Sequence, residues 1–118
     1  MTPILYGIPN CDTVKKARAW LADQGVAHVF HDFRKQGVPP ARLDAWLQAA
    51  GPDRLLNRQG TTWRKLDPAV QARSTDAEGA RSLMLEQPSV IKRPVVEWPD
   101  GGITVGFDPA QWTLRSHP

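Results

Sequence analysis

Cys11 is the residue of this sequence with the clearest chemical potential, because it lies between a short apolar segment and an amphipathic one. A loop that starts at Gly7 separates a predicted strand from a predicted helix, so Cys11 is expected at the helix N-terminus. Unpaired N–H groups and the helix dipole favour an anion there, and Lys15 follows one helical turn later. These features favour the nucleophilic thiolate. They predict a reactive thiol, against the competing interpretation of a buried, inert cysteine.

Cys11 is also the single cysteine among 118 residues. One thiol cannot form an internal disulfide, a Cys-x-x-Cys redox pair or a zinc site built from several cysteines. Thiol–disulfide exchange passes through a mixed disulfide. If Cys11 does redox work, the sulfur that resolves this intermediate must therefore come from another molecule, glutathione or a glutaredoxin.

The dipeptide Arg93-Pro94 is the second candidate feature. A guanidinium fixed beside a proline at a strand junction can face an oxyanion or a carboxylate. The competing interpretation is a surface arginine, since only about 5–6% of X-Pro bonds are cis in folded proteins. The dipeptide alone does not decide between the two.

The histidines do not form a metal-binding pattern. His28 and His31 are separated by a spacing that points them to opposite faces of a predicted strand, and His117 lies near the C-terminus. No set of carboxylates with the cysteine completes a ligand cluster, and a GxGxxG phosphate loop is missing. The five tryptophans fall on five predicted elements, which is typical of packing. The sequence predicts no metal site.

The chain that must position these residues has an ordinary globular composition, with 41% hydrophobic and 23% charged residues. Its length predicts one domain with its own core. The net charge of +3 is distributed along the chain, which makes nucleic-acid binding an unfavoured interpretation. No window reaches the roughly 18 apolar residues of a membrane span, and the N-terminus lacks a signal pattern. We therefore expect a cytoplasmic protein with a reduced thiol.

The first elements read as strand, helix and strand. The apolar run Ile4 to Tyr6 predicts a strand, helical spacing continues to a stop at Gly25, and Ala27 to Phe33 predicts a second strand centred on Val29 and Phe30. Three polar residues are candidate capping groups for the helix: Asn10, Asp12 and Thr13.

The middle of the chain, about residues 39–87, has helical spacing throughout. Its first helix is expected to open at Pro39-Pro40 and to end at Gly51-Pro52. Asp67-Pro68 combines a capping carboxylate with proline at the first helical position, and a further helix is expected from Thr75 or Asp76.

The last part returns to β-branched runs. Short strands are expected at Val90-Ile91, at Val95-Val96 and over residues 103–105, the last two joined by a turn at residues 99–102. Asp108-Pro109 then predicts a short C-terminal helix. The order β-α-β, helices, β-β-α indicates an α/β fold with a helical insertion.

Three ordered segments carry a resemblance to a known family. They are YGIPNCDTVKKA at residues 6–17, LLNRQGTTWRKL at residues 55–66 and PSVIKRPV at residues 88–95. Together they resemble the ArsC/Spx family of arsenate-reductase-like proteins, and most closely its YffB-like branch. The resemblance implies a single thioredoxin-like domain over residues 1–118, with a small mixed β-sheet flanked by helices and the insertion at about 39–87. It also implies that Cys11 is the redox cysteine and Pro94 the cis-proline, which places Arg93 near the thiol.

The resemblance further implies a chemistry. ArsC-type arsenate reductases use one cysteine, three arginines around it, and glutathione with glutaredoxin to finish the reduction. Cys11 and Arg93 fit that pattern, but Asn57 stands where the second arginine aligns, with Arg58 one position displaced. Residues 104–108 contain no arginine for the third position. The Spx branch binds RNA polymerase and often senses oxidation through Cys-x-x-Cys, for which Val14 leaves no second cysteine.

The resulting hypothesis is a cytoplasmic, glutathione-linked thiol reductase without a metal. Cys11 is the proposed nucleophile, Lys15 favours its thiolate, and Arg93 holds a glutathione carboxylate or a small oxyanion. The expected substrate- or glutathione-binding residues are the following: Asn10, Asp12, Thr13, Arg58 and Pro94. Two alternatives stay open, a glutaredoxin-coupled arsenate reductase and a non-catalytic Spx-like regulator that binds RNA polymerase.

Overall fold

The computed structural model describes residues 2–116, and the chain opens with alternating strands and helices. The first four elements are β1 (Ile4–Gly7), α1 (Asp12–Asp23), β2 (Val29–Asp32) and α2 (Phe33–Gln36). Gly25 has a φ of 70°, a left-handed conformation that suits the end of a helix. The predicted strand, helix and strand are therefore confirmed in kind and order.

The second predicted strand was too long. Its expected end at Phe33 is wrong, because the chain turns there into α2. The Asp32 carboxylate accepts a hydrogen bond from the Arg34 N–H at 2.8 Å, and the Asp32 N–H donates to Gln36 Oε1 at 3.2 Å. The expected apolar centre is also only partly buried, with Val29 52% exposed.

The middle of the chain is helical, as predicted. Its helices are α3 (Pro40–Ala50), α4 (Pro52–Leu55), α5 (Thr61–Arg64), α6 (Pro68–Arg73) and α7 (Ala77–Glu86), followed by a 3₁₀ turn at Pro88–Val90. The expected helix starts are confirmed, since Asp67 and Asp76 are the N-caps of α6 and α7. The Arg81 guanidinium pairs with Asp44 at 2.6 Å, which ties α7 to α3.

The chain closes with β3 (Val95–Glu97), β4 (Ile103–Val105) and α8 (Pro109–Ser116). The predicted hairpin and C-terminal helix are confirmed. The strand expected at Val90-Ile91 is wrong: Val90 ends the 3₁₀ turn, and Ile91 makes only an isolated bridge with Leu56. Pro88 explains the difference, because its fixed φ suits the first position of a helical turn.

The four strands form one mixed sheet in the order β2-β1-β3-β4. β1 is parallel to β2 and antiparallel to β3, which is antiparallel to β4. Helices α1 and α8 cover one face of this sheet. The buried side chains of that layer are Leu5, Val14, Ala17, Leu21, Val96, Trp98 and Trp112.

By contact density the chain divides into a sheet unit, Met1–Gln36 with Arg93–Pro118, and a helical unit, Gly37–Lys92. The helical unit contains the predicted insertion at about 39–87. A single domain over residues 1–118 stays a prediction. Within residues 2–116, no helix combines the length and the apolar character needed to cross a membrane.

Candidate functional site

Cys11 is the N-cap of α1. β1 ends at Gly7, and the Cys11 N–H then donates to the Ile8 carbonyl at 3.4 Å, while the Cys11 carbonyl accepts from the Lys15 N–H at 2.9 Å. The prediction that Asn10, Asp12 or Thr13 caps this helix is wrong, because α1 begins one residue after the cysteine. The half-buried thiol makes no capping hydrogen bond of its own.

The surroundings of Cys11 favour its thiolate. Burial raises the pKa of the Cys11 thiol, but the Val14 N–H, the hydrogen bond and charge of the Arg93 guanidinium, and the Thr13 N–H together outweigh burial, so the pKa lies below its ordinary value. Backbone donors and an opposite charge both stabilise an anion. The thiolate fraction at neutral pH is therefore raised, which is what a nucleophilic cysteine requires.

Arg93 reaches the thiol from the segment directly before β3. The Arg93–Pro94 peptide bond is cis, as the resemblance implies, and Pro94 is buried while Arg93 is half-buried. The Nε atom of Arg93 is buried as well. The guanidinium therefore contacts Cys11 with part of its own surface removed from solvent.

Several aromatic residues belong to or pack against the same buried layer as Cys11. Cys11 packs against the buried layer that contains Trp112, as do Trp20 and Phe107. The Phe107 and Trp112 rings are edge to face with centroids 4.8 Å apart, and Trp20 lies 6.0 Å from Trp112. Cys11 therefore has an apolar layer on one side, while Arg93 and the helix N–H groups supply polar contacts to the thiol.

The other residues predicted around Cys11 are exposed. Asn10 lies in the turn before the cysteine, and Asp12 and Thr13 are the first two residues of α1. Lys15 is exposed one helical turn on. Of these, Thr13 is tied to the sulfur through its N–H. The roles of the four side chains stay predictions.

Arg58 belongs to the helical unit. Its guanidinium pairs with Asp53 at 3.2 Å and lies over the Trp63 ring at 5.7 Å from the centroid. The Arg58 side chain is 40% exposed. The ion pair and the ring orient a cation that still faces solvent, and its role in substrate binding stays a prediction.

The two described histidines lie in separate contacts. Arg18 donates its Nε–H to His28 Nε2 at 3.3 Å, and burial together with the Arg18 charge lowers the pKa of His28, against an opposing contribution from the Val26 backbone. His31 packs on the Tyr6 ring at 4.8 Å. His117 lies outside the described residues. Between residues 2 and 116, no three His, Cys, Asp or Glu side chains are grouped to hold a metal ion.

Gly106 was not singled out from the sequence, although it contacts the same segment as Arg93. Its N–H donates to the Pro94 carbonyl at 2.9 Å, and its φ is 86°. A glycine directly after a β-branched run was the available signal, because such a position often marks a bulge or a turn.

Comparison with known proteins finds relatives over most of the chain. The sequence profile described as the ArsC family matches residues 6–114. An uncharacterized protein of Haemophilus influenzae is 43% identical over 108 residues, covering 92% of this chain and 93% of that protein. The arsenate reductase of Rhizobium meliloti is 30% identical over 103 residues, covering 86% and 72%. The global transcriptional regulator Spx of Bacillus subtilis is 24% identical over 94 residues, covering 78% and 70%.

Solved structures show the same architecture. A YffB protein superposes with a TM-score of 0.92 at 47% identity, covering 98% of this chain and 99% of the other. An arsenate reductase (ArsC) related protein from Brucella melitensis superposes with a TM-score of 0.76 at 49% identity, covering 100% and 97%. The predicted thioredoxin-like α/β fold, with a small mixed sheet flanked by helices, is confirmed.

Proposed function

Because this chain belongs to the ArsC family, we propose that it is a glutathione-linked thiol reductase with Cys11 as its nucleophile. The observation that carries the proposal is the Cys11 thiol at the N-terminus of α1, with its pKa lowered mainly by the Val14 N–H and by Arg93 in spite of burial. A thiolate in a partly exposed, electropositive position is the reactive form of cysteine.

The single cysteine determines the order of steps. The Cys11 thiolate attacks the glutathione sulfur of a mixed disulfide between glutathione and the substrate, so that the S–S bond breaks, a Cys11–glutathione disulfide forms and the substrate thiolate leaves. The thiolate of a second glutathione then attacks that disulfide, which releases Cys11 as thiolate and glutathione disulfide as product. In the net exchange one reduced glutathione takes the place of the substrate in the disulfide, and the substrate thiolate takes up the proton that this glutathione lost.

The neighbouring residues receive supporting roles in this proposal. Arg93 stabilises the Cys11 thiolate and holds a glutathione carboxylate or a small oxyanion, and Lys15 adds a weaker positive field. In this proposal the binding surface around Cys11 is shaped by Asn10, Asp12, Thr13 and Pro94. Arg58 is assigned a separate role as a cation that binds substrate. The proposed setting is the cytoplasm, where glutathione keeps thiols reduced.

The test is turnover of a mixed disulfide between glutathione and 2-mercaptoethanol, with reduced glutathione and an NADPH-coupled glutathione reductase as the readout. We expect activity from the wild-type protein and none from Cys11→Ser, which should fold normally because the side chains are close in size. Arg93→Met should raise the pKa of Cys11 and slow its alkylation at neutral pH by up to about tenfold for each pKa unit regained. Activity in Cys11→Ser would exclude this mechanism.

A second candidate is a glutaredoxin-coupled arsenate reductase. The relative from Rhizobium meliloti carries that name at 30% identity, and Arg93 beside the thiol is a suitable partner for an oxyanion. Arsenate-dependent oxidation of glutathione in the presence of glutaredoxin, lost in Cys11→Ser, would favour this function over disulfide reduction.

A third candidate is a non-catalytic regulator that binds RNA polymerase, which is what the resemblance to the Spx branch implies. The relative from Bacillus subtilis is named a global transcriptional regulator. Direct binding to purified RNA polymerase, together with a Cys11 thiol that reacts no faster than free cysteine, would favour this function.

A further inference from the structure

The backbone that presents Arg93 is held by Gly106, the residue directly after the neighbouring strand β4. β3 and β4 pair from Glu97 opposite Ile103 to Val95 opposite Val105. One step beyond that ladder, the Gly106 N–H donates to the Pro94 carbonyl at 2.9 Å. This hydrogen bond therefore fixes the residue directly after the guanidinium that faces Cys11.

The hydrogen bond depends on an unusual backbone conformation. Gly106 has a φ of 86°, a region that glycine enters freely and that other residues avoid. After Gly106 the chain places Phe107 against the Trp112 ring, which belongs to the same buried layer that Cys11 packs against. One glycine thus lies between the Pro94 contact and the start of this aromatic packing.

We propose that Gly106 is a positioning residue for the Arg93–Cys11 pair. Its N–H fixes the Pro94 carbonyl, and through it the Arg93–Pro94 peptide, so that the guanidinium lies against the thiolate. The inference rests on the proposed function, because it takes the Cys11 thiolate as the reactive group. It assigns the residue directly after β4 a role in lowering the pKa of the cysteine through a backbone hydrogen bond.

The chain offers a matched control in the same hairpin. Gly101 has a φ of 89°, and no atom lies within 4 Å of the position that a Cβ would occupy. It lies in the turn at the opposite end of β3 and β4. Gly101→Ala and Gly106→Ala should both lower the unfolding midpoint, because each forces alanine into the left-handed region. Only Gly106→Ala should displace the Arg93 guanidinium from the Cys11 thiolate.

The deciding measurement is the pH profile of Cys11 alkylation by iodoacetamide. We expect Gly106→Ala to move the midpoint upward and to slow alkylation at neutral pH severalfold, with Gly101→Ala unchanged from wild type. Gly106→Asn should give an intermediate profile, because asparagine tolerates positive φ better than alanine, and it replaces the alanine variant if that variant fails to fold. In an Arg93→Met background, Gly106→Ala should cause no further shift.

The outcomes distinguish a failure of the proposed role of Gly106 from a failure of the proposed function. If the pH midpoint of alkylation is low in wild type and equally low in Gly106→Ala and Gly106→Asn, the role of Gly106 is overturned and the proposed function stands. An equal shift from Gly101→Ala would overturn it as well, since a general loosening of the hairpin would then be the cause. An ordinary thiol profile in wild type would overturn the proposed function itself.

Discussion

The N-termini of α7 and α1 both have first-turn N–H groups without partners inside the helix, and different side chains lie at the two capping positions. At α7 the Asp76 carboxylate accepts a hydrogen bond from the Gly79 N–H at 2.7 Å, and at α6 Asp67 does the same for Ala69 at 3.1 Å. At α1 the capping position is Cys11, whose thiol makes no such bond. The first-turn donors of α1 favour its sulfur as an anion.

The difference teaches how a helix end becomes reactive. A capping carboxylate is charged at neutral pH and occupies the donors permanently, which stabilises the helix. A thiol occupies them in full only after it loses its proton, so the free energy of capping is coupled to ionisation. In this chain α6, α7 and α8 use the stable arrangement, whereas α1 keeps the ionisable one at its proposed nucleophile.

Cys11→Asp should have the largest effect, because it gives α1 the same kind of cap as α7. We expect complete loss of thiol-dependent turnover. The free energy of unfolding should be higher than that of Cys11→Ala by about 1 kcal/mol, the usual contribution of a capping carboxylate. Activity assays and urea unfolding of both variants provide the measurement. Equal stabilities would show that α1 lacks usable donors and would break the comparison.

Asp76→Ala should remove the corresponding cap from α7. The expected loss is about 1 kcal/mol in the free energy of unfolding, with the alkylation rate of Cys11 unchanged. Glu78→Ala is the matched control, since Glu78 lies in the first turn of α7 without being its cap and should cost less. If Asp76→Ala slowed alkylation, the two helix ends would not be independent.

The pH dependence of stability should show that the α1 cap is ionisable. The folded state lowers the pKa of Cys11, chiefly by the Val14 N–H and Arg93 acting against burial. Between that pKa and the unfolded value of about 8.5, the unfolded chain binds more protons, so stability should rise with pH. The gain is complete above the unfolded pKa and is lost as pH falls through the folded one. Urea unfolding of wild type and Cys11→Ser across this window should differ in slope; identical slopes would contradict the shift.

Lys15→Gln should have the smallest effect and tests how far the comparison extends beyond the first turn. Lys15 is exposed, so solvent and salt screen its charge. We expect the alkylation rate of Cys11 at neutral pH to fall by less than about twofold at low salt, and the effect to vanish at high salt. Lys16→Gln, one residue further along α1, is the control. A fall as large as that of Arg93→Met would locate the cause in the surface charge.

The features that were predictable from the sequence are those set by neighbouring residues. Asp67-Pro68 and Asp108-Pro109 contain both the cap and the first helical residue, and each begins a helix. The lone cysteine before an amphipathic segment likewise placed Cys11 at a helix N-terminus. Local propensity gave a wrong prediction of a strand at Val90-Ile91, because these β-branched residues follow a proline that starts a 3₁₀ turn.

The Arg93 contact that lowers the pKa of Cys11 was harder to predict from the sequence, because it joins residues far apart along the chain. The meeting of Arg93 with Cys11 depends on the pairing of β1 with β3, and residue spacing alone does not determine which strands pair. The resemblance to ArsC proteins supplied that contact. Gly106 acts through one backbone hydrogen bond to Pro94, which leaves no trace in side-chain chemistry, so the glycine was overlooked.

The sheet order has a consequence for biosynthesis. β1 is central, with β2 on one side and β3 on the other, so the strand that leads to the cysteine acquires its second neighbour only from the last third of the chain. A ribosome makes Cys11 well before Arg93, because synthesis proceeds from the N-terminus. During synthesis the nascent chain therefore carries the thiol without its cation, and the Arg93 contact that lowers the pKa of Cys11 forms only when the C-terminal hairpin pairs with β1.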